Sequence, residues 1–324
     1  MTSHPDSRLI FDLRRVTEKT ACTAYRWIGR GKSVESDQAS VETMRAAFAD
    51  VDIDGTILLG ESGDDRLPQF RKGERVGRPE APFKADVAAD PVEGTSYVAR
   101  GQTNALAVIA VAPRGSMLDP SPAFYMEKFA APPAAKGKID PGWPVARKLS
   151  ELAACLGKDI GALTVFVLEK PRHRALVQAI HETGARVALY PAGDVAGALM
   201  AAIPGTGIDA LMGTGGTPEG IMSACAIRAL GGEFLGRLDP QLQGEAKAVR
   251  EAGLDTGRWH GCDELVGSDD IFFCATGITT GLMLEGVEED MSGTLRTQTL
   301  MISGATRERQ ILTTYSSGED TDDG

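Results

Sequence analysis

From residue 145 onward the chain alternates short apolar runs with amphipathic stretches, and this alternation most constrains what it can fold into. Helical periodicity covers residues 145–156, 172–183, 194–202 and 217–230, while apolar runs at 163–168, 185–190 and 208–212 read as strands between them. Successive βαβ units of this kind predict a largely parallel sheet in the second half. The first half reads differently. A helix is predicted over residues 6–27, where Leu9, Ile10, Leu13 and Val16 recur at helical spacing. A second helix carries Ala39, Val41, Met44 and Phe48 on one face, with Ser36 or Asp37 able to cap it. Buried-strand patterns follow at 54–60 and 106–111, a proline-rich connection spans 113–144, and a further strand is predicted at 269–275. With 324 residues the chain can bury a large core, as one domain or as two packed lobes. The expected architecture is a layered α/β protein with its site at the junction of two sheets.

Chemistry concentrates in Ala89-Asp90-Pro91-Val92-Glu93-Gly94-Thr95, which sets two carboxylates and a hydroxyl just after an apolar run. Pro91 fixes its own φ and biases Asp90 toward extended backbone, so Asp90 is expected to end a strand and enter a turn. Gly94 permits close backbone approach to a ligand. Asp90 and Glu93 suit hard divalent cations such as Mg²⁺ or Mn²⁺, and Thr95 offers a hydroxyl to position a water beside them. Taken alone, the same residues would also make an ordinary surface turn. Three further acids sit at the ends of predicted elements: Asp37, Glu61 after Gly60, and Glu219 after the glycine-rich segment starting at Gly213. Together the five carboxylates form a candidate site for two metals, with phosphate ester hydrolysis as the matching chemistry. The Gly213 segment lacks the Lys-Ser/Thr of a P-loop and the later acid of a dinucleotide fingerprint, so it reads as flexible backbone carrying Glu219.

In these landmarks the chain resembles the class II fructose-1,6-bisphosphatases, within the wider group of metal-dependent sugar and inositol phosphatases. The resemblance runs from about Thr17 to about Arg307. It rests on Trp27-Ile28-Gly29-Arg30-Gly31-Lys32, Asp52-Ile53-Asp54-Gly55-Thr56 with Gly60-Glu61, the Asp90 to Thr95 box, Asn104-Ala105-Leu106-Ala107-Val108, Lys170-Pro171-Arg172-His173 and the Gly213 to Glu219 segment. It implies the sugar phosphatase fold, with a metal-binding lobe over residues 1–140 and a substrate lobe over 141–310, while composition makes 311–324 an expected disordered acidic tail. It also implies two or more Mg²⁺ or Mn²⁺ ions held by Asp37, Glu61, Asp90, Glu93, Glu219 and the Val92 carbonyl, about 3.5–4 Å apart where they share a site. Thr95, with Asp37 and Glu61, would then activate the attacking water.

The implied substrate is fructose 1,6-bisphosphate, losing its 1-phosphate; sedoheptulose 1,7-bisphosphate is the runner-up. Its contacts would come from Glu93, Gly94, Thr95, Tyr125, Lys170, Pro171, Arg172, Ala192, Gly193, Asp194 and Gly216. Lys170 and Arg172 would clamp the phosphate that is not cleaved. Ala192 stands where the family often carries an aspartate. Two other readings compete. An inositol or nucleotide monophosphatase would have no use for the Lys170 to Arg174 clamp, and a non-catalytic regulator on the same fold would be expected to have lost an acid or Thr95.

The formal net charge of −11 argues against a nucleic-acid surface and against an anionic membrane. An acidic phosphatase repels its own substrate, and divalent cations reverse the sign locally. No apolar run is long enough to span a bilayer, and the N-terminus lacks a signal pattern, so a cytoplasmic protein is expected; a homo-oligomer, dimer or tetramer, is a separate expectation. The five cysteines are scattered and odd in number, and are expected to be reduced.

Overall fold

The computed structural model describes residues 5–60 and 70–317. In chain order these form α1 (Leu9–Tyr25), α2 (Ser33–Phe48), β1 (Asp54–Leu59), β2 (Arg75–Gly77), β3 (Lys84–Glu93), α3 (Thr95–Arg100), β4 (Leu106–Pro113) and β5 (Tyr125–Ala131). Next come α4 (Val145–Leu156), β6 (Thr164–Leu168), α5 (Arg174–Glu182), β7 (Arg186–Tyr190), α6 (Asp194–Ala202), β8 (Ala210–Gly216), α7 (Thr217–Leu230) and β9 (Glu233–Leu238). The remainder is α8 (Gln243–Glu251), β10 (His260–Gly261), α9 (Cys262–Leu265), β11 (Phe272–Gly277), β12 (Glu288–Glu289), β13 (Thr294–Ser303) and β14 (Glu308–Ser317). The chain divides into two compact units, residues 1–117 with 268–324, and residues 118–267. Their limits differ from the change of lobe read at 140/141. The C-terminal segment returns to the first unit because β11 pairs with β4 along its whole length.

In the first unit one mixed sheet runs β12-β13-β11-β4-β3-β1-β2, with β14 on β13. Helix α1 lies on this sheet. Leu9, Leu13 and Val16 recur every three or four residues and are buried, which is the stripe a sheet-packed helix needs. Polar residues under the helix are satisfied internally: the Thr276 hydroxyl donates to Thr17 Oγ1 at 2.8 Å and lies 2.7 Å from Thr299 Oγ1. Residues 311–317, read from sequence as tail, form most of β14. Ile311, Thr313 and Tyr315 are strand formers in alternation, and β13 pairs with them residue by residue.

The second unit holds the sheet β10-β9-β5-β8-β6-β7. Here β7, β6 and β8 are mutually parallel, as the alternation requires. The rest of the sheet departs from the expectation of a largely parallel arrangement. Strand β5 is antiparallel to both β8 and β9, so β8 and β9 run the same way with β5 between them. The crossover through α7 therefore obeys the βαβ rule in direction while skipping one strand, which periodicity alone does not reveal. The core of this unit gathers Phe129, Leu149, Leu152, Val165, Val167, Ile180 and Met212.

Candidate active site

In the first unit the Asp90 to Thr95 box folds as a bulged strand end rather than a turn after Asp90. Asp90 pairs with Val108 and Glu93 with Leu106, so Pro91 and Val92 together face only Ala107. The cause is local. Pro91 has no N–H for the ladder, and the Val92 N–H donates at 2.9 Å to Asp90 Oδ1, which removes a second donor and produces the extra residue of a β-bulge. The bulge re-aims two successive acids: one carboxylate oxygen of Asp90 and one of Glu93 come within 4.8 Å of each other. Both residues are buried.

Gly94 then turns the chain at φ 91° into α3. A Cβ there would stand 2.6 Å from the Tyr97 ring, so the turn needs glycine twice over, for its φ and for its space. Thr95 opens α3, and its hydroxyl donates to Asp37 Oδ1 at 3.1 Å and to the Val92 carbonyl at 3.2 Å. Asp37 reaches it because the segment before α2 is tied to α3 by backbone bonds, Gly29 N–H to the Val98 carbonyl at 2.8 Å and Gly31 N–H to the Ala99 carbonyl at 2.9 Å.

Neither Ser36 nor Asp37 caps α2, which begins at Ser33 and places both in its interior. Asp37 is instead spent on Thr95. Burial pushes its carboxyl up to about 6, against the opposing effect of the Thr95 hydrogen bond. Glu61 lies outside the described residues.

The second unit carries the other predicted residues. Residues 213–216, Gly-Thr-Gly-Gly, do not form a loop: they are the end of β8, held in register opposite Lys128, Glu127, Met126 and Tyr125 of β5. Helix α7 starts directly at Thr217, with Glu219 in its first turn. A Cβ on Gly215 would overlap the Asp194 carboxylate and one on Gly216 would overlap that of Glu219, so the two glycines make room for two acids. Glu219 Oε2 is shielded from solvent and has no hydrogen-bond partner among the described residues. Burial raises the Glu219 pKa, the Asp194 charge adds to the rise, and Lys128 opposes it.

Asp194 opens α6 after Gly193, at φ 85°, and pairs with Lys128 Nζ at 2.5 Å. Sequence reading missed Lys128. The available signal was a lysine at an inward position of β5, between Met126 and Ala130, where an apolar residue is the norm.

Arg172 is exposed, and donates from Nε at 3.1 Å and Nη2 at 2.8 Å to the Thr214 carbonyl. Its guanidinium carbon sits 5.2 Å from the Tyr125 ring centroid, so two residues predicted to contact substrate meet here. The short 3₁₀ turn Pro171–His173 presents Arg172 after Lys170 leaves β6 in extended backbone. His173, next in line, is a structural bridge: Nδ1 bonds the Leu168 carbonyl at 2.7 Å and Nε2 accepts the Thr214 N–H at 2.8 Å. Burial lowers its pKa, in keeping with the neutral ring this accepting nitrogen requires. Ala192 is half-buried at the entry to α6.

Comparison with known proteins gives one consistent result. The profile of a family described as "Bacterial fructose-1,6-bisphosphatase, glpX-encoded" matches residues 7–316. The chain is 41% identical over 312 residues to "Fructose-1,6-bisphosphatase 1 class 2" of Escherichia coli (strain K12), covering 92% of each chain. The same figures hold for "Fructose-1,6-bisphosphatase class 2" of Escherichia coli O6:H1 and of Shigella flexneri. The matched span takes in both units and every element from α1 to β14, and on that ground the chain belongs to the glpX-encoded bacterial fructose-1,6-bisphosphatase family.

Proposed function

We propose that this chain is a cytoplasmic phosphoric monoester hydrolase that removes the 1-phosphate of fructose 1,6-bisphosphate, giving fructose 6-phosphate and inorganic phosphate. The observation that carries the reading is the hydroxyl of Thr95 bonded to Asp37, one residue past the turn that follows the Asp90 and Glu93 carboxylates. Family membership supports the substrate. Sedoheptulose 1,7-bisphosphate presents the same two separated phosphates and is the second substrate we expect. Among the described residues no helix is long and apolar enough to cross a membrane.

The donors fit divalent metal. They are all oxygen, which suits Mg²⁺ or Mn²⁺, and the shielded Glu219 oxygen has no hydrogen-bond partner among the described residues. Asp37, Asp90, Glu93 and the Val92 carbonyl would hold such ions, with Glu61 and Glu219 assigned to the same task by the resemblance. When bound, divalent ions neutralise phosphate charge and acidify water. The protein's own residues do the positioning. Thr95 Oγ1 has lone pairs left to accept a hydrogen bond from the attacking water, and its own proton is directed at Asp37. As the water oxygen bonds phosphorus and the ester P–O bond breaks, the water proton moves toward Thr95 and Asp37, and the departing sugar oxygen takes up a proton from solvent. Lys170 and Arg172, with Tyr125 against the guanidinium, bind the phosphate that stays. Gly94, Pro171, Ala192, Gly193, Asp194 and Gly216 border the substrate.

The test is phosphate release from fructose 1,6-bisphosphate, sedoheptulose 1,7-bisphosphate, inositol monophosphate and an aryl monophosphate, with Mg²⁺ or Mn²⁺ and with chelator. Turnover should require metal and favour the bisphosphates. Arg172→Ala should lower bisphosphate turnover strongly, by on the order of 2–5 kcal/mol if the bound phosphate desolvates the guanidinium and by less if the site stays open, and leave the aryl ester nearly unchanged. Equal loss on both substrates would move Arg172 to the reacting phosphate, and no loss on either would favour a monophosphatase.

A further inference from the structure

Helix α8 in the second unit starts after Leu242, whose side chain has no acceptor to offer the free N–H groups of the first turn. Glu245 takes that task. Its Oε2 accepts the Gln241 N–H at 2.9 Å and the Leu242 N–H at 3.4 Å, for which an uncharged Gln would serve as well. The other oxygen reaches away from the helix: Oε1 accepts the N–H groups of Phe124 at 2.7 Å and of Tyr125 at 2.9 Å, where β5 begins, 120 residues before Glu245 in the Tyr125 case. Glu245 is 4% exposed and no cation is paired with it among the described residues. A buried carboxylate is costly unless its lone pairs are filled, and the two bonds to β5 complete a set of four.

The same short segment is gripped from its other side. The Ala123 carbonyl accepts the Thr217 hydroxyl at 2.6 Å, the Phe124 carbonyl accepts the Thr217 N–H at 2.9 Å, and the Tyr125 carbonyl accepts the Asp239 N–H at 3.0 Å. Glu245 supplies the acceptor for the N–H of Tyr125 and of the residue before it. A second route leads from Glu245 to Arg172. Gln241, whose N–H ends on Glu245, donates from Nε2 to Asp239 Oδ2 at 2.8 Å; that oxygen also accepts the Thr214 hydroxyl at 2.6 Å, and the Thr214 carbonyl receives the Arg172 guanidinium. We propose that Glu245 is a positioning residue for the phosphate that is not cleaved. It fixes the Tyr125 ring against the Arg172 guanidinium, so that the clamp is in place before substrate arrives, which lowers the ordering cost of binding. The proposal rests on the assignment of Tyr125 and Arg172 to that phosphate. Glu245 acts through them.

Glu245→Asp tests this most directly. One methylene shorter, its carboxylate still serves the N–H groups of its own helix start and falls short of Phe124 and Tyr125. Glu245→Gln is the companion variant, since its amide can offer an acceptor to one pair of N–H groups only. Each should raise the KM for fructose 1,6-bisphosphate about tenfold, and the inhibition constant of fructose 6-phosphate with it, while kcat changes less than about threefold. The preference for the bisphosphate over an aryl monophosphate should fall by the same factor as KM rises, which a loss of general structure would not produce. In a Tyr125→Ala background Glu245→Asp should cost much less than in the parent chain, because the ring it positions is gone. Circular dichroism identifies the variants that keep the fold. If neither Glu245 variant does, Gln241→Ala decides, at an exposed position that leaves every backbone bond in place: it cuts the route to Arg172 alone and should raise KM about threefold. Folded variants with unchanged KM, an equal loss on bisphosphate and aryl ester, or a full additional loss in Tyr125→Ala each overturn the proposal. If Tyr125→Ala and Arg172→Ala themselves leave KM unchanged, the clamp assignment is what fails, and this proposal falls with it.

Discussion

Thr95 has one proton and two acceptors, Asp37 Oδ1 at 3.1 Å and the Val92 carbonyl at 3.2 Å, so its hydroxyl is held in orientation without being used up. If that oxygen steers the attacking water, Thr95→Ala should lower kcat by about 10²–10⁴-fold with a much smaller change in KM. Thr95→Ser keeps the oxygen and should retain part of the rate. Steady-state kinetics on fructose 1,6-bisphosphate decides the matter, and equal, mild effects of the two substitutions would reduce Thr95 to packing. That Asp90, Glu93 and Thr95 lie close together follows from their nearness in the chain, across one bulge caused by Pro91 and the turn at Gly94. The Asp37 partnership was expected from the resemblance alone and not from spacing, since 58 residues separate it from Thr95 and the link runs through backbone bonds between Gly29 to Gly31 and α3. Lys128 stayed hidden for a similar reason: the acid that neutralises it, Asp194, comes from a helix 66 residues away.

Elements were read well where one strand meets one helix. The limits of α4, α6 and α7 coincide with the helical periodicity at 145–156, 194–202 and 217–230. The start of α2 was misplaced because Ser36 and Asp37 look like caps, whereas the helix begins at Ser33 with no side-chain cap. Sheet order was beyond reach, since β5 enters between β8 and β9 from earlier in the chain. The junction of β3 with α3 offers a test at this scale. Gly94→Ala must either hold a left-handed residue with a Cβ, at about 1–2 kcal/mol, or displace the Tyr97 ring. Denaturant unfolding should therefore show a lower midpoint with an unchanged m value, and activity should fall with it because Thr95 is the next residue. An unchanged midpoint would mean that the turn is less constrained than its φ of 91° implies.

At the scale of the whole molecule the central fact is an acidic chain that gathers acids in its interior, where burial outweighs the pull of the cations beside them. Burial raises the pKa of Asp37, to about 6, and also those of Asp86 and Glu219. A carboxyl whose folded pKa lies above its unfolded value binds its proton more tightly when folded. Its stabilising contribution is thus complete below about pH 4 and is lost as pH rises through about 6. Divalent metal reverses this dependence, because it requires the carboxylate. A ligand that binds only the folded state stabilises by about 2.7 kcal/mol at a hundred times its Kd. The rise in Tm given by excess Mn²⁺ over chelator should therefore be small at pH 4.5, grow through about pH 6 and level off above it. Asp90→Asn, which removes a ligand charge with almost no change in volume, should lose most of that rise at pH 7.5 while its Tm in chelator stays near that of the parent chain. Differential scanning fluorimetry at pH 4.5, 6 and 7.5 reads all of these, with or without a substrate in hand. A rise that is equal at the three pH values, or one that Asp90→Asn keeps in full, would show that the buried acids are not where the metal binds.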